Sequence, residues 1–206
     1  MIESLQVALT ALSGWEATAV VLAIAYLLFA VREHPACWPA ALASTAIYTV
    51  LLWEVSLFME SALNVYYMAM AVYGWWAWRR GDAGAALAIT SWRAHQHLFA
   101  VSAVALLTLA SGTWLTTHTS AAWPFLDSFT TWGAVLTTWM VARKVLENWL
   151  YWLVLDAVSI PLYVERGLVL TAALFAVYLV LAVIGFIAWH RHYTSRDATG
   201  DAALTA

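Results

Sequence analysis

Of 206 residues, 64% are hydrophobic and only 10% are charged, with a mean hydropathy of +0.78. A water-soluble domain carries about 25% charged residues, so this chain cannot cover itself for water and reads as a polytopic membrane protein. The net charge of −3 discriminates little, but the single cysteine, Cys37, excludes an intrachain disulfide and a CxxC site.

The chain opens MIESLQVALTALSGWE, which is acidic and lacks the basic n-region of a cleaved signal peptide. The first membrane helix is therefore expected to serve as the targeting signal. A spanning helix needs roughly 20 mainly apolar residues. Seven such stretches follow, at about 15–31, 37–53, 60–78, 95–113, 125–142, 148–164 and 168–189. The start of the fourth is blurred by SWRAHQHLF. A membrane barrel would instead show roughly ten-residue alternating segments. The tail, SRDATGDAALTA, is polar and small-residue-rich and is expected to be disordered.

The basic residues support the count independently. With seven spans, one set of loops holds only Arg166. The other holds Arg32, Arg79, Arg80, Arg93, Arg143, Lys144, Arg191 and Arg196. Adding or removing a span destroys that asymmetry. The positive-inside rule then puts the N-terminus outside and the C-terminus in the cytoplasm.

The chain also repeats itself. An ungapped shift of 111 residues sets Arg32 on Arg143, Trp38 on Trp149, Leu42 on Leu153, Glu54 on Glu165, Leu63 on Leu174, Tyr67 on Tyr178, Gly74 on Gly185 and Trp78 on Trp189. Matched Ala or Val would be cheap in so apolar a chain, but matched Trp, Arg, Glu, Tyr and Gly are not. Three helices plus one return the chain to its starting side, so both triplets cross in the same direction. The expected fold is all-α and integral to the membrane, a 3+1+3 parallel (SWEET-like) repeat. Its parts are an N-terminal three-helix repeat (1–94), a linker helix (95–113), a C-terminal three-helix repeat (114–190) and a cytoplasmic tail (191–206). Duplicated halves about an axis suit transport, although duplication for structure alone is the rival reading.

Polar residues inside the spans are the candidate site. Asp156 lies near the middle of the sixth span, where an ionised Asp costs roughly 2.5–3.5 kcal/mol on insertion scales. Asn148, Trp152, Asp156, Ser159 and Tyr163 recur at three or four residues and share one stripe, with Trp149 beside it. The competing reading is a buried polar contact between helices. The third span carries Glu60, Asn64, Tyr67, Ala71, Gly74 and Trp78 on one stripe, where Ala71 and Gly74 suit close helix packing as well as they suit a substrate. On the fifth, Asp127, Thr131, Ala134 and Thr138 form a hydroxyl-rich face, with Thr130 and Trp132 adjacent. Most of these hydroxyls are expected to bond their own helix backbone, and Asp127 equally fits a helix cap.

Fourteen tryptophans are present, and Trp15, Trp38, Trp53, Trp75, Trp76, Trp78, Trp114, Trp123 and Trp189 fall where aromatic belts form. Trp149 and Trp152 instead share a face with polar groups and suit a flat or cationic ligand. Pro161 leaves the carbonyl of Ala157 without its helical partner, a candidate hinge beside Asp156. The chain has no GxxxxGK[ST] loop, no HExxH and no Cys/His cluster, so neither ATP hydrolysis nor a metal or other cofactor is expected. Lys144, the only lysine, lies at a helix end, which excludes a retinal protein.

YGWWAWRR after the third span, LDSF opening the fifth and RKVLENWLYWLVLDAVSIPLY leading into the sixth resemble the PnuC-type nicotinamide riboside transporters. The resemblance runs from about Trp15 to Trp189 and is strongest at Glu147, Asn148, Trp149 and Trp152 and at Tyr73, Gly74, Trp75 and Trp78. It implies a central site, a homotrimer in an inner membrane, and facilitated diffusion of a cationic vitamin that a cytosolic kinase traps by phosphorylation. It implies neither an enzyme nor a nucleic-acid partner. Related transporters carry thiamine, riboflavin or deoxynucleosides. Asn64 stands where some relatives have Gln and Asp156 where some have Asn, so substrate identity turns on these positions. A polytopic membrane enzyme or receptor is the remaining alternative outside transport.

Overall fold

The computed structural model describes residues 14–54, 58–81, 86–119, 123–165 and 169–204; the side chains of 58–60, 170 and 197–204 are outside that description. Each predicted span is a helix: α1 (Gly14–Val31), α2 (Cys37–Glu54), α3 (Phe58–Arg80), α4 (Ala94–His118), α5 (Pro124–Ala142), α6 (Asn148–Glu165) and α7 (Val169–Leu204). Helix α7 runs on to Leu204, into the tail expected to be disordered. That stretch is rich in Ala, the best helix former, and it extends an existing helix, so no new nucleus is needed. Arg166 lies outside the described residues.

By length and composition alone, three helices are long and apolar enough to cross a membrane: α1, α4 and residues 171–196 of α7. The others fall short because polar side chains interrupt them. Many of those side chains are buried: Ser44 on α2, Ser61 on α3, Ser128, Thr137 and Thr138 on α5, and Asn148, Asp156 and Ser159 on α6. Their outer faces carry the apolar residues, such as Val50, Val72, Trp139 and Val154.

The helix starts and stops are locally specified. Pro124 occupies the first turn of α5, where its missing N–H costs nothing. Gln96 Oε1 accepts from the Arg93 N–H at 2.8 Å and caps α4. Helices α1 and α5 both end in the same tight motif. His34 N–H donates to Phe29 and Glu33 N–H to Ala30; Val145 N–H donates to Met140 and Lys144 N–H to Val141. These are Schellman motifs, and their left-handed residues are Glu33 (φ 53°) and Lys144 (φ 51°).

Helix contacts follow the 111-residue shift. α1 packs on α2 as α5 packs on α6, α2 on α3 as α6 on α7, and α3 on α5 as α7 on α1. Helix α4 packs on α5, outside this ring, and adds a His97–Tyr151 bond to α6. The segment entering α4 is strapped beneath the bundle: Thr90 pairs in parallel with Val145, and Leu87 and Ile89 are buried in the core. Glu147 accepts from Ser91 Oγ and from the Trp92 N–H.

The core is aromatic. Trp38, Trp78 and Trp189, which the sequence placed in interfacial belts, are 2%, 4% and 0% exposed. Trp38 and the equally buried Trp149 have room because a glycine lies against each ring. A Cβ added to Gly74 would lie 2.3 Å from the Trp38 ring, and one added to Gly185 would lie 2.7 Å from the Trp149 ring. Trp15, Trp53, Trp76, Trp114 and Trp123 are exposed, as belt positions require. Gly74→Ala and Gly185→Ala should each destabilise the protein by about 1–3 kcal/mol through overpacking. Gly14→Ala, with nothing within 4 Å, should be neutral. Thermal unfolding in detergent micelles, followed by tryptophan fluorescence, checks both.

Candidate functional site

A cavity of about 260 Å³ lies between the two triplets, lined by α1, α2, α3, α5, α6 and α7. That is near the lower end of the roughly 300–1,000 Å³ typical of small-molecule sites. Six pairs of lining residues are related by the 111-residue shift: Leu27 and Thr138, Trp38 and Trp149, Ala41 and Trp152, Thr45 and Asp156, Asn64 and Phe175, Tyr67 and Tyr178. Two pairs are identical and supply a frame of indoles at the floor and phenols above. The other four differ, and they make the cavity lopsided. One wall offers Trp152, Asp156 and Phe175; the opposite wall offers Ala41, Thr45 and Asn64.

Asp156 is 3% exposed and lines the cavity, and no Lys, Arg or His is among the described residues that line it. A carboxylate there is expensive unless paired. The indole N–H groups of Trp38 and Trp149 are buried without a partner among the described residues. The tyrosines Tyr26, Tyr48, Tyr67 and Tyr178 add hydroxyls and ring faces. Chemically, this wall-and-floor arrangement stacks on a flat ring, attracts positive charge and offers donors to oxygen acceptors.

Of the residues singled out from the sequence as polar candidates or their stripe neighbours, the cavity brings together Asn64, Tyr67, Thr138, Trp149, Trp152 and Asp156. The others are not among its lining. Asn148 sits in the first turn of α6, fully buried, and its Nδ2 donates to the Val145 carbonyl at 2.6 Å. Tyr163 lies at the far end of the same stripe, packed on Phe175 with ring centroids 5.0 Å apart. The stripe runs the whole length of α6, whereas the cavity takes only part of it. Asp127 lies in the first turn of α5, and Thr131 lies one turn on, likewise outside the lining. Thr130 and Thr137 bond their own helix. Glu60's side chain lies outside the described residues. Pro161 is inside α6 on an exposed position away from the cavity.

Missed from the sequence were Tyr26, Trp38, Ser44, Thr45, Tyr48, Phe175 and Tyr178. The repeat itself pointed to several, since Trp38, Thr45, Phe175 and Tyr178 are the counterparts of residues already chosen. Tyr48 is likewise the counterpart of Ser159 on the α6 stripe, whereas Tyr26 carries no such signal.

Helices that hold between two matched triplets a largely apolar cavity with a few placed polar groups are the build of a small-molecule membrane transporter. The chain belongs to the nicotinamide mononucleotide transporter family, whose model matches residues 13–191. It is similar to the riboflavin/roseoflavin transporter RibM of Streptomyces davaonensis, 28% identical over 128 residues. That match covers 59% of this chain and 59% of the relative's length. It is also similar to the nicotinamide riboside transporter PnuC of Escherichia coli, 21% identical over 174 residues, covering 72% of this chain and 73% of the relative. A crystal structure of the vitamin B3 transporter PnuC superposes with a TM-score of 0.70 and 23% identity, covering 86% of this chain and 81% of that one. These relatives are transporters rather than enzymes, and the chain is a membrane protein of that PnuC type.

Ala41→Trp, which copies Trp152 onto the small wall, should fill the cavity. We expect uptake to fall at least about tenfold while the melting temperature stays within about 2 °C, because the ring enters existing space rather than a packed core. Uptake and thermal unfolding of the same preparation check this.

Proposed function

We propose that this chain carries nicotinamide riboside into a bacterial cell by facilitated diffusion across the inner membrane, with a cytosolic kinase trapping the product by phosphorylation. The carrying observation is Asp156, a carboxylate at the wall of a cavity that holds no basic side chain among the described residues, beside Trp152. A pyridinium would neutralise that carboxylate and stack on the indole. The opposite wall, with Thr45 and Asn64, would meet the hydroxylated sugar. The likeness to PnuC of Escherichia coli agrees with this substrate.

In this reading all seven helices span the membrane as a parallel 3+1+3, SWEET-like repeat, with α4 as the linker. The arginine-rich loops face the cytoplasm and the N-terminus faces outward. The protein works as a homotrimer, and α4 presents an apolar face, including Leu98, Phe99 and Leu106, to lipid or to a neighbouring copy. Thiamine, also a cation, fits the same carboxylate. A neutral flavin is favoured instead by the likeness to RibM and by the four tyrosines of the cavity.

Purified protein in liposomes without ATP or an ion gradient should equilibrate radiolabelled nicotinamide riboside. If nicotinamide riboside, thiamine and riboflavin all fail to cross, facilitated vitamin transport is wrong. Asp156→Asn should weaken nicotinamide riboside binding by about 30-fold or more, the cost of removing one partner of a desolvated charge pair. Calorimetry on the variant checks this, and an unchanged affinity would favour a neutral substrate.

A further inference from the structure

Beneath the cavity, the two triplets are tied together at the end that carries the arginines. Trp38, Trp78, Trp189 and Trp149 form a chain of indoles with ring-centroid separations of 5.4, 6.0 and 5.4 Å. Trp78 Nε1 donates across to the carbonyls of Val141 and Ala142, at 3.3 and 3.2 Å. Trp189 Nε1 donates the other way, to Ala30 at 3.0 Å. Ala30 and Val141 are themselves counterparts 111 residues apart, so the two cross-ties are reciprocal. A ligand leaving the cavity toward this end must part these rings.

One layer further down, Lys144 Nζ lies 2.8 Å from Glu33 Oε2 and 4.7 Å from the centre of the Trp78 ring. His192 Nδ1 meets the other Glu33 oxygen. Glu33 and Lys144 are also counterparts, so equivalent loop positions of the two triplets carry opposite charges that find each other. Both occupy the left-handed position of a Schellman motif, where Gly is usual and a side chain strains the backbone. Strain kept at both positions indicates that the side chains themselves are wanted. The Lys144 and Glu33 side chains are 8% and 17% exposed, so the pair is partly shielded from water. Burial alone would raise the Glu33 pKa, but hydrogen bonds and charge from Lys144 and His192 hold it below the usual carboxylate value. The carboxylate is thus ionised at neutral pH.

We propose that Glu33 and Lys144 are the latch of a gate: while they are paired, the four tryptophans close the cavity toward the arginine-rich end, and release through that end requires the pair to part. For an ion pair this shielded, the cost of desolvating both charges offsets much of their attraction, so it adds little net stability. Its leverage lies in joining two bodies that must separate, where it biases the closed state over the open one. Trp78 couples the latch to the floor, because one face of its ring holds the ammonium while its N–H binds the α5 carbonyls.

The chain carries its own reporter. Cys37 is the single cysteine, fully buried, and directly precedes Trp38. Detergent-purified protein, without substrate, is treated with a fluorescent maleimide and the labelling rate is followed. Glu33→Gly and Lys144→Gly remove the charges while giving the left-handed position the residue it favours, and thermal unfolding of each variant reports whether the fold is kept. Each should label Cys37 about tenfold faster than wild type, within the roughly 5–150-fold range of conformational coupling. Exchanging the charges, with Glu33→Lys and Lys144→Glu together, should return the rate to within about twofold of wild type. Single variants that melt normally yet label at the wild-type rate would overturn the latch. So would a charge exchange that labels as fast as the single variants. Because no vitamin is added, this result is independent of which substrate the cavity accepts.

Discussion

The close approach of an indole to a glycine backbone, made twice, is the contact on which the rest of the structure depends. Trp38 lies on Gly74 and Trp149 lies on Gly185, at distances that leave no room for a methyl group. In a bilayer there is no hydrophobic drive to bring helices together, because lipid is as apolar as the side chains. Association rests on close packing, for which small residues clear the way. Each Trp–Gly contact fixes one helix pair, α2 on α3 and α6 on α7. It also turns a large flat ring into the floor of the cavity, so packing and site are made by the same residues.

A matched frame would recognise nothing in particular, and the departures from matching supply the chemistry. The shift sets Asp156 opposite Thr45, Trp152 opposite Ala41 and Phe175 opposite Asn64. Aromatic rings and a carboxylate gather on one wall, small and neutral polar groups on the other. A ligand with a charged ring at one end and hydroxyls at the other matches that division. The same economy operates below, where one position bears Glu33 in one triplet and Lys144 in the other. Positions matched by the shift provide the scaffold, and single departures from the match provide charge.

Hydropathy located all seven helices in the sequence, most ends within a few residues, because the cost of burying charge in lipid is steep and local. The end of α4 was underestimated, at 113 rather than His118, because its threonines look polar. In the structure Thr113, Thr116 and Thr117 bond carbonyls one turn back and are cheap to carry. The buried roles of Trp38, Trp78 and Trp189 were not legible from their places near span ends, since hydropathy cannot tell a belt from a core. Their membership in the repeat was the better guide. The site was half legible: α6 and α3 announced themselves through Asp156 and Asn64, each costly in an apolar helix. Tyr26 on α1 did not, because a tyrosine in a membrane helix is unremarkable until its neighbours are known. Asn148 and Tyr163 share a stripe with Asp156 but lie outside the lining of the cavity.

Recognition rests on the Asp156 carboxylate meeting positive charge on the substrate. The most direct measurement is a structure of the protein with nicotinamide riboside bound. The pyridinium should stack on Trp152 with its ring nitrogen within about 6 Å of the Asp156 carboxylate. The ribose should turn toward Thr45 and Asn64. A ligand bound with its ring on the opposite wall, or with Asp156 left without a cationic partner, would contradict this recognition.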